Sequence, residues 1–129
     1  MSVATILIPT HDAADTVVDA VDSARRQTIS DIEIMIVGDG VSPEYRNLIA
    51  QLAKADRRIV FLDLPKAPNR GERNRHSGVL AASSDVIVYL ADDDLLLPRH
   101  TENMMQLLGD VDLCQSRNGF IDENDRLVF

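Results

Sequence analysis

The stretch VYLADDDLLLP, residues 88–98, runs apolar residues straight into three adjacent carboxylates and then closes a second apolar run with proline. Three bare aspartates in a row repel one another. At ~4 Å and an effective dielectric of ~20, one like-charged pair costs roughly 4 kcal/mol before relaxation and screening. A solvated turn tolerates such a cluster, whereas aspartates at the mouth of a buried strand attract a cation. Which of the two applies depends on whether VYLA ends a strand, and the rest of the chain bears on that.

Apolar runs of the same kind recur at spacings of roughly 25 to 30 residues, the size of a strand–helix–strand unit. They are ATILIP (4–9), IEIMIV (32–37), IVFLDL (59–64), VIVYLA (86–91) and VDLCQS (111–116). All but the last are nearly continuous in apolar residues and rich in Ile and Val, which is how strands covered on both faces read. Helical periodicity fills the gaps. Ala14, Val17, Val21 and Ala24 form one apolar stripe, with Asp12 or Asp15 as the candidate cap. Ser42 and Pro43 supply an N-cap and a first-turn proline, and Tyr45, Leu48, Ile49, Leu52 and Ala53 follow at helical spacing. A third helix is expected over about 72–82. A fourth is expected from Pro98 to about Leu108, with Met104, Leu107 and Leu108 inward.

This alternation predicts a single α/β domain over residues 1–129, a mainly parallel, twisted sheet with helices on both faces. The tail GFIDENDRLVF (119–129) reads as a hairpin. It stops inside an apparent strand, so the sequence reads as a piece of a longer chain whose C-terminal part is missing.

Composition narrows the function. A net charge of −8 argues against non-specific nucleic-acid binding and leaves no polybasic membrane patch. A local arginine or metal can still invert that sign for an anionic substrate. The single cysteine, Cys114, excludes an internal disulfide and reads as an inert core residue. No stretch approaches the ~20 apolar residues of a transmembrane helix. The N-terminus lacks the basic start and long apolar core of a signal peptide. A soluble, cytoplasmic protein is the expectation.

In open parallel sheets, ligands bind at the carboxyl ends of the strands. Pro9, Thr10, His11 and Asp12 follow the first strand, and Gly38, Asp39 and Gly40 follow the second. PKAPNRGERNRHSG (65–78) follows the third, and Asp92, Asp93 and Asp94 follow the fourth. Carboxylate oxygens suit Mg²⁺ or Mn²⁺, which would relieve the repulsion and could bridge a diphosphate. The alternative is a solvated turn whose aspartate caps the next helix. Asp39 could accept a hydrogen bond from a base or sugar, or simply serve its turn. Arg70, Arg73 and Arg75 suit phosphate oxygens, or could pair on the surface with Glu72 or Asp85. His11, His76 and His100 lack metal-ligand spacing. No G-x-S-x-G elbow, Walker loop or G-x-G-x-x-G fingerprint is present.

Taken in order, these segments resemble the N-terminal, nucleotide-sugar-binding part of GT-A fold glycosyltransferases of family 2. ILIPTHD (6–12) stands where that family has a strand ending in IPTYN, and DSARRQT (22–28) where it has SVLNQT. IVGDGVS (36–42) matches VDDGS. ERNRHSGVLAASSDVIVYLADDD (72–94) matches the ARN helix and the strand leading to the metal motif, with Pro98 beyond it. The resemblance implies that Asp39 recognises the nucleotide base, with Gly38 replacing the family's first aspartate. It implies that Pro9, Thr10 and His11 line the nucleoside site, and that Arg75, with Arg73 second, reaches base or diphosphate.

The aspartate cluster is similar to the family's DXD motif. That makes Asp93 the leading metal ligand, Asp92 the holder of the ribose or an assisting ligand, and Asp94 the third candidate. Strand alternation alone would pair Asp92 with Asp94. Ala91 occupies the first position of the family's commonest form. The implied activity is inverting transfer from a nucleotide-diphosphate sugar, a UDP-sugar, to an unknown acceptor. Mn²⁺ or Mg²⁺ would neutralise the leaving diphosphate. The acceptor site and general base are expected beyond Phe129, and the missing strands would leave edges open to self-association. Two other readings stand beside this one. Gly38 and Ala91 favour a catalytically degenerate binding or regulatory module of the same fold. A sugar nucleotidyltransferase is disfavoured, because PTHDAADT (9–16) is neither glycine-rich nor basic.

Overall fold

The computed structural model describes residues 2–128. Its strands β1 (Ala4–Thr10), β2 (Ile32–Asp39), β3 (Ile59–Leu64) and β4 (Ile87–Tyr89) form one parallel sheet in the order β3-β2-β1-β4. Between and after them lie α1 (Val17–Arg25), α2 (Pro43–Ala55), α3 (Pro68–Ala81) and α4 (His100–Leu108). A two-residue antiparallel pair, β5 (Phe120–Ile121) and β6 (Leu127–Val128), ends the described chain.

Alternation along the central strands builds two cores. Ile6 and Ile8 of β1 and Ile34 and Ile36 of β2 share one face with Val17 and Val21 of α1 and with Tyr45 and Ile49 of α2. Leu7, Met35 and Val37 point the other way, onto Val79 of α3. Helices therefore cover both faces, as the sequence predicts. The chain steps β1→β2→β3 in one direction with α1 and α2 on one side. The return across the sheet to β4 carries α3 to the opposite side, as uniform crossover handedness requires. Burying each large aliphatic side chain contributes about 1.5–3 kcal/mol, so the β1–β2 pair carries most of the core.

Several expectations are corrected. Residues 111–116 form no strand: Val111 and Leu113 are exposed, and Cys114 lies half-buried with its thiol toward the Met104 carbonyl rather than in the core. The alternating pattern there has no partner strand to pair with among the described residues. The fourth strand is shorter than 86–91 and sits at a sheet edge, as does β3. Tyr89 and Val60 are 58% and 42% exposed, so neither strand is covered as fully as its apolar run suggests. Ala14 precedes α1 and is exposed, and the stripe is Val17, Ala20, Val21 and Ala24. Neither Asp12 nor Asp15 caps α1, whose N-cap Thr16 makes no side-chain cap bond. Leu107 is 69% exposed, and Met105 takes its place against the core. The Ser42–Pro43 start of α2 is as expected, with Ser42 Oγ accepting from the Tyr45 amide at 3.3 Å.

Two contacts of α1 set the position of the segment that follows β4. Ser23 Oγ accepts from the Leu96 amide at 3.1 Å. Buried Gln27 donates to the Leu97 carbonyl and accepts from the Thr101 amide, both at 2.9 Å. The aspartate-rich turn is thus anchored on its downstream side by α1.

Gly78 is where α3 meets the sheet: a Cβ there would lie 2.7 Å from Val37 Cγ2 and 3.0 Å from Leu7 Cδ1. Val37 is β-branched and cannot swing clear, so Gly78→Val should destabilise the fold by about 2–3 kcal/mol through overpacking, against a few tenths gained in helix propensity. Urea denaturation of the two proteins measures the difference, and an unchanged midpoint would contradict this packing.

Candidate functional site

The parallel register brings the strand ends together. Thr10 is aligned with Gly38, Gly38 with Asp63, and Asp39 with Leu64. The loops that leave these ends enclose a cleft of about 280 Å³. Pro9, Thr10 and His11 line it from β1, and Asp39 from β2. Arg70, Gly71, Asn74 and Arg75 line it from α3, and Asp92 from the turn after β4.

Asp39 is only 8% exposed, and its carboxylate is enclosed by donors. Oδ1 accepts from the Ala67 amide and from Asn74 Nδ2, and Oδ2 from Lys66 Nζ, each at 2.7 Å. Burial pushes its pKa up, but Lys66, the Ala67 amide and Asn74 together outweigh that and hold it below the ordinary carboxylate value. The start of α3 is shaped around this group. Asn69, Arg70 and Gly71 all adopt left-handed backbone angles, and regular helix begins after them, close to the expected residue 72. Gly71, at φ +74°, approaches so closely that a Cβ would lie 2.9 Å from Asp39 Cγ. Only glycine satisfies both conditions. Asn74 also donates to the Pro65 carbonyl at 2.9 Å, tying helix to loop.

Asp92 is held from the other side. Thr10 Oγ1 donates to Asp92 Oδ2 at 2.6 Å and is hydrogen-bonded to the Tyr45 hydroxyl behind it. Burial, reinforced by the charges of Asp92 and Asp12 and opposed by the bond to Thr10, pushes the Tyr45 phenol up to about 12. Asp12, in the left-handed region at φ 56°, accepts from the Ser42 amide at 2.8 Å and joins the turn after β1 to the start of α2.

Of the sequence-predicted site residues, the structure therefore gathers Pro9, Thr10, His11, Asp39, Arg75 and Asp92 around one cleft. Arg75 donates from Nη1 to the Arg70 carbonyl at 2.7 Å, while Arg73 is exposed and outside the cleft lining. Among the described residues, no ion pair joins Arg70, Arg73 or Arg75 to Glu72 or Asp85, so the surface-pairing alternative is not what these arginines do. Asp93 and Asp94 are not in this cleft. They line a second one, of about 230 Å³, with Thr16, Asp19, Leu95 and Ile121. Among the described residues, no three His, Cys, Asp or Glu side chains converge as a metal-ligand group. His76 is exposed, and His100 is half-buried, its pKa lowered by burial; neither lines the cleft.

Sequence reasoning missed three participants. Lys66 and Asn74 bind a carboxylate far away in sequence. Only the polar run after the third strand hinted at them. Tyr45 reads as an apolar core residue, and its ring is one, which hides the hydroxyl.

Comparison with known proteins agrees with this geometry. The profile of Glycosyl transferase family 2 matches residues 5–128. The chain is 28% identical over 105 residues to the putative glycosyltransferase EpsH of Bacillus subtilis, covering 81% of this chain and 30% of that protein. It is also 28% identical over 104 residues to the GalNAc(5)-diNAcBac-PP-undecaprenol beta-1,3-glucosyltransferase of Campylobacter jejuni, covering 78% of this chain and 33% of the relative. The chain thus spans about a third of the curated relatives it matches. Residues 1–349 of S. aureus TarS in complex with UDP superpose with a TM-score of 0.73 at 11% identity, over 95% of this chain and 40% of that one. The mannosyltransferase PcManGT of Pyrobaculum calidifontis, solved with GDP-Man and Mn²⁺, superposes with a TM-score of 0.71 at 18% identity, over 88% of this chain and 35% of that one. At these identities the superpositions establish the shared GT-A fold. No helix among the described residues is long and apolar enough to cross a membrane.

Asp39→Asn keeps the shape and removes the charge that Lys66 and the Ala67 amide face. It should cost about 1–3 kcal/mol at pH 7. Because the folded-state pKa of Asp39 is lowered, its contribution is present above the unfolded value and is lost as pH falls through the folded one. The gap between the two proteins should therefore shrink below about pH 4. Urea midpoints measured from pH 7 to pH 3 test this, and a gap that stays constant across the series would contradict it.

Proposed function

The chain belongs to glycosyl transferase family 2, and we propose that it is the donor-binding part of an inverting glycosyltransferase using a nucleotide-diphosphate sugar, specifically a UDP-sugar. The observation that carries this reading is the cleft itself. One rim combines the buried carboxylate of Asp39, the guanidinium groups of Arg70 and Arg75, and the carboxylate of Asp92, half engaged by Thr10. Asp39 spends three of its acceptor positions on the protein and keeps one for an imide N–H of uracil. Arg70 and Arg75 offer planar donors to a diphosphate. Asp92 Oδ2 is engaged by Thr10, which leaves Oδ1 for a ribose hydroxyl or a cation.

Mn²⁺ or Mg²⁺ fits the chemistry of the donor set. Among the described residues no side-chain hydrogen bond engages Asp92 Oδ1 or the carboxylates of Asp93 and Asp94. Magnesium-type sites commonly take one or two protein carboxylates and complete their shell with substrate phosphates and water. Asp92 would hold the ion from this cleft, and Asp93 and Asp94, which line the neighbouring one, would join it only by turning toward Asp92. When bound it would neutralise the negative charge that develops on the leaving diphosphate. The TarS and PcManGT structures, with UDP in one and GDP-Man and Mn²⁺ in the other, support this reading. The cleft residues bind and orient the donor. The general base that deprotonates the acceptor hydroxyl lies outside this cleft.

Gly38 and Ala91, each standing where the family has a carboxylate, favour a second reading: a module that binds nucleotide without turnover. The two readings share the binding test and separate on turnover of a UDP-sugar by the full-length protein.

Calorimetric titration of UDP with Mn²⁺ and with EDTA tests the donor site. Binding should require the metal. Asp92→Asn and Arg75→Ala should each weaken it at least tenfold, about 1.4 kcal/mol, while Arg73→Ala stays within about twofold of wild type. Equal losses from the two arginine variants, or UDP binding indifferent to both Asp92→Asn and Arg75→Ala, would rule out this placement of the donor.

A further inference from the structure

We infer that Tyr45 is a positioning residue of this site: through the Thr10 hydroxyl, its phenol fixes which oxygen of Asp92 is presented to the cleft. The inference rests on the donor-site reading and adds to it a residue that touches no ligand. Thr10 has one hydroxyl proton, and the geometry commits it to Asp92 Oδ2 at 2.6 Å. The bond between Thr10 and Tyr45 must then be donated by Tyr45. Burial pushes the phenol's pKa up, so it keeps the proton that it donates. The three groups form a one-way relay from α2 through the end of β1 to the turn after β4. Each bond in such a chain polarises the next.

The relay is built into rigid parts. Tyr45 is 3% exposed, and its ring packs in the larger core with Ile8 and Ile36. Its amide donates to Ser42 Oγ, and the Ser42 amide donates to Asp12. Thr10 is 4% exposed and in register with Gly38. Asp92 is the least buried of the three, on the turn that leaves an edge strand. Without the phenol, the Thr10 hydroxyl oxygen loses the donor that polarises and orients it, and its hold on Asp92 weakens. Asp92 is then free to rotate either oxygen toward the cleft. A ring that served only to fill space would lose nothing in Tyr45→Phe.

The experiment combines a double-mutant cycle with a measurement that needs no ligand. UDP with Mn²⁺ is titrated into wild type, Tyr45→Phe, Thr10→Val and the double variant, with Thr10→Ser as the conservative control and thermal melts run on each. Tyr45→Phe should weaken UDP about three- to tenfold. It should add nothing once Thr10 is Val, because the two act through one bond. Thr10→Ser, which keeps the hydroxyl, should remain sensitive to Tyr45→Phe. In the ligand-free proteins, NMR should detect the Thr10 hydroxyl proton as slowly exchanging in wild type and fast in Tyr45→Phe. Equal weakening by Tyr45→Phe in both Thr10 backgrounds, or an unchanged hydroxyl proton, would overturn the inference and leave Tyr45 a packing residue. Failure of wild type to bind UDP would overturn the donor-site reading instead, and the hydroxyl proton would then decide the positioning role alone.

Discussion

A buried carboxylate must be surrounded by donors, and the way Asp39 meets that requirement shapes the molecule around the site. Its partners are a lysine, a backbone amide and an asparagine from the loop and helix that follow β3. An unpaired charge at that depth would cost several kcal/mol, so the loop has little freedom to sit elsewhere. The constraint reaches into the backbone. Three consecutive left-handed residues bring Gly71 against the carboxylate, and the same turn delivers Arg70 and Arg75 to the cleft. Two of the three are not glycine, a conformation that costs roughly 1–2 kcal/mol per residue. The hydrogen bond from Arg75 to the Arg70 carbonyl and the ring of donors on Asp39 offset that strain.

The opposite wall has a different logic. Asp92 belongs to a turn leaving a three-residue edge strand, and the sheet alone would hold it loosely. Its order comes from both flanks. Upstream, Thr10 binds its Oδ2. Downstream, Ser23 and Gln27 of α1 hold the backbone at Leu96, Leu97 and Thr101. The cleft therefore joins one wall fixed by a buried carboxylate and its three donors to another fixed by a hydroxyl-to-carboxylate bond and by backbone anchors from α1.

The fold was largely legible because β1 and β2 are buried on both faces, and a strand in that position has to be an unbroken apolar run. The same reasoning misjudged the edges. VIVYLA is as apolar as ILIP, yet hydrophobicity records what a segment can bury and not how many neighbours it has. VDLCQS alternates as a half-buried strand should, but a strand also needs a partner, and nothing in the residues themselves says whether one is present. The site was legible in part for a related reason. Carboxylates at strand ends announce themselves, so Asp39 and Asp92 were found. The donors of Asp39 were not, since Lys66 and Asn74 lie 27 and 35 residues away in sequence and meet it only through the sheet register; Tyr45, which backs Thr10, lies 35 residues from it. The triple aspartate was read as one cluster; the turn separates it, because Asp92 faces the cleft with Thr10 while Asp93 and Asp94 face Asp19.

That separation also sets the charge around the cleft of an acidic chain. The net charge is −8, and a diphosphate approaching the average surface would be repelled. Within the cleft the balance differs. Lys66 cancels Asp39 at 2.7 Å, which leaves Arg70 and Arg75 facing Asp92 alone. Among the residues that line the cleft, arginine then outnumbers unpaired carboxylate, and Asp93 and Asp94 line the neighbouring cleft. Had all three carboxylates faced inward, their mutual repulsion would make the site empty of anions unless a cation were always present. On the donor-site reading proposed above, the arginines would meet the diphosphate and a cation would sit between it and Asp92. The order of the residues in ADDD thus matters more than their number: the first aspartate is drawn in by Thr10, and the turn directs the next two away.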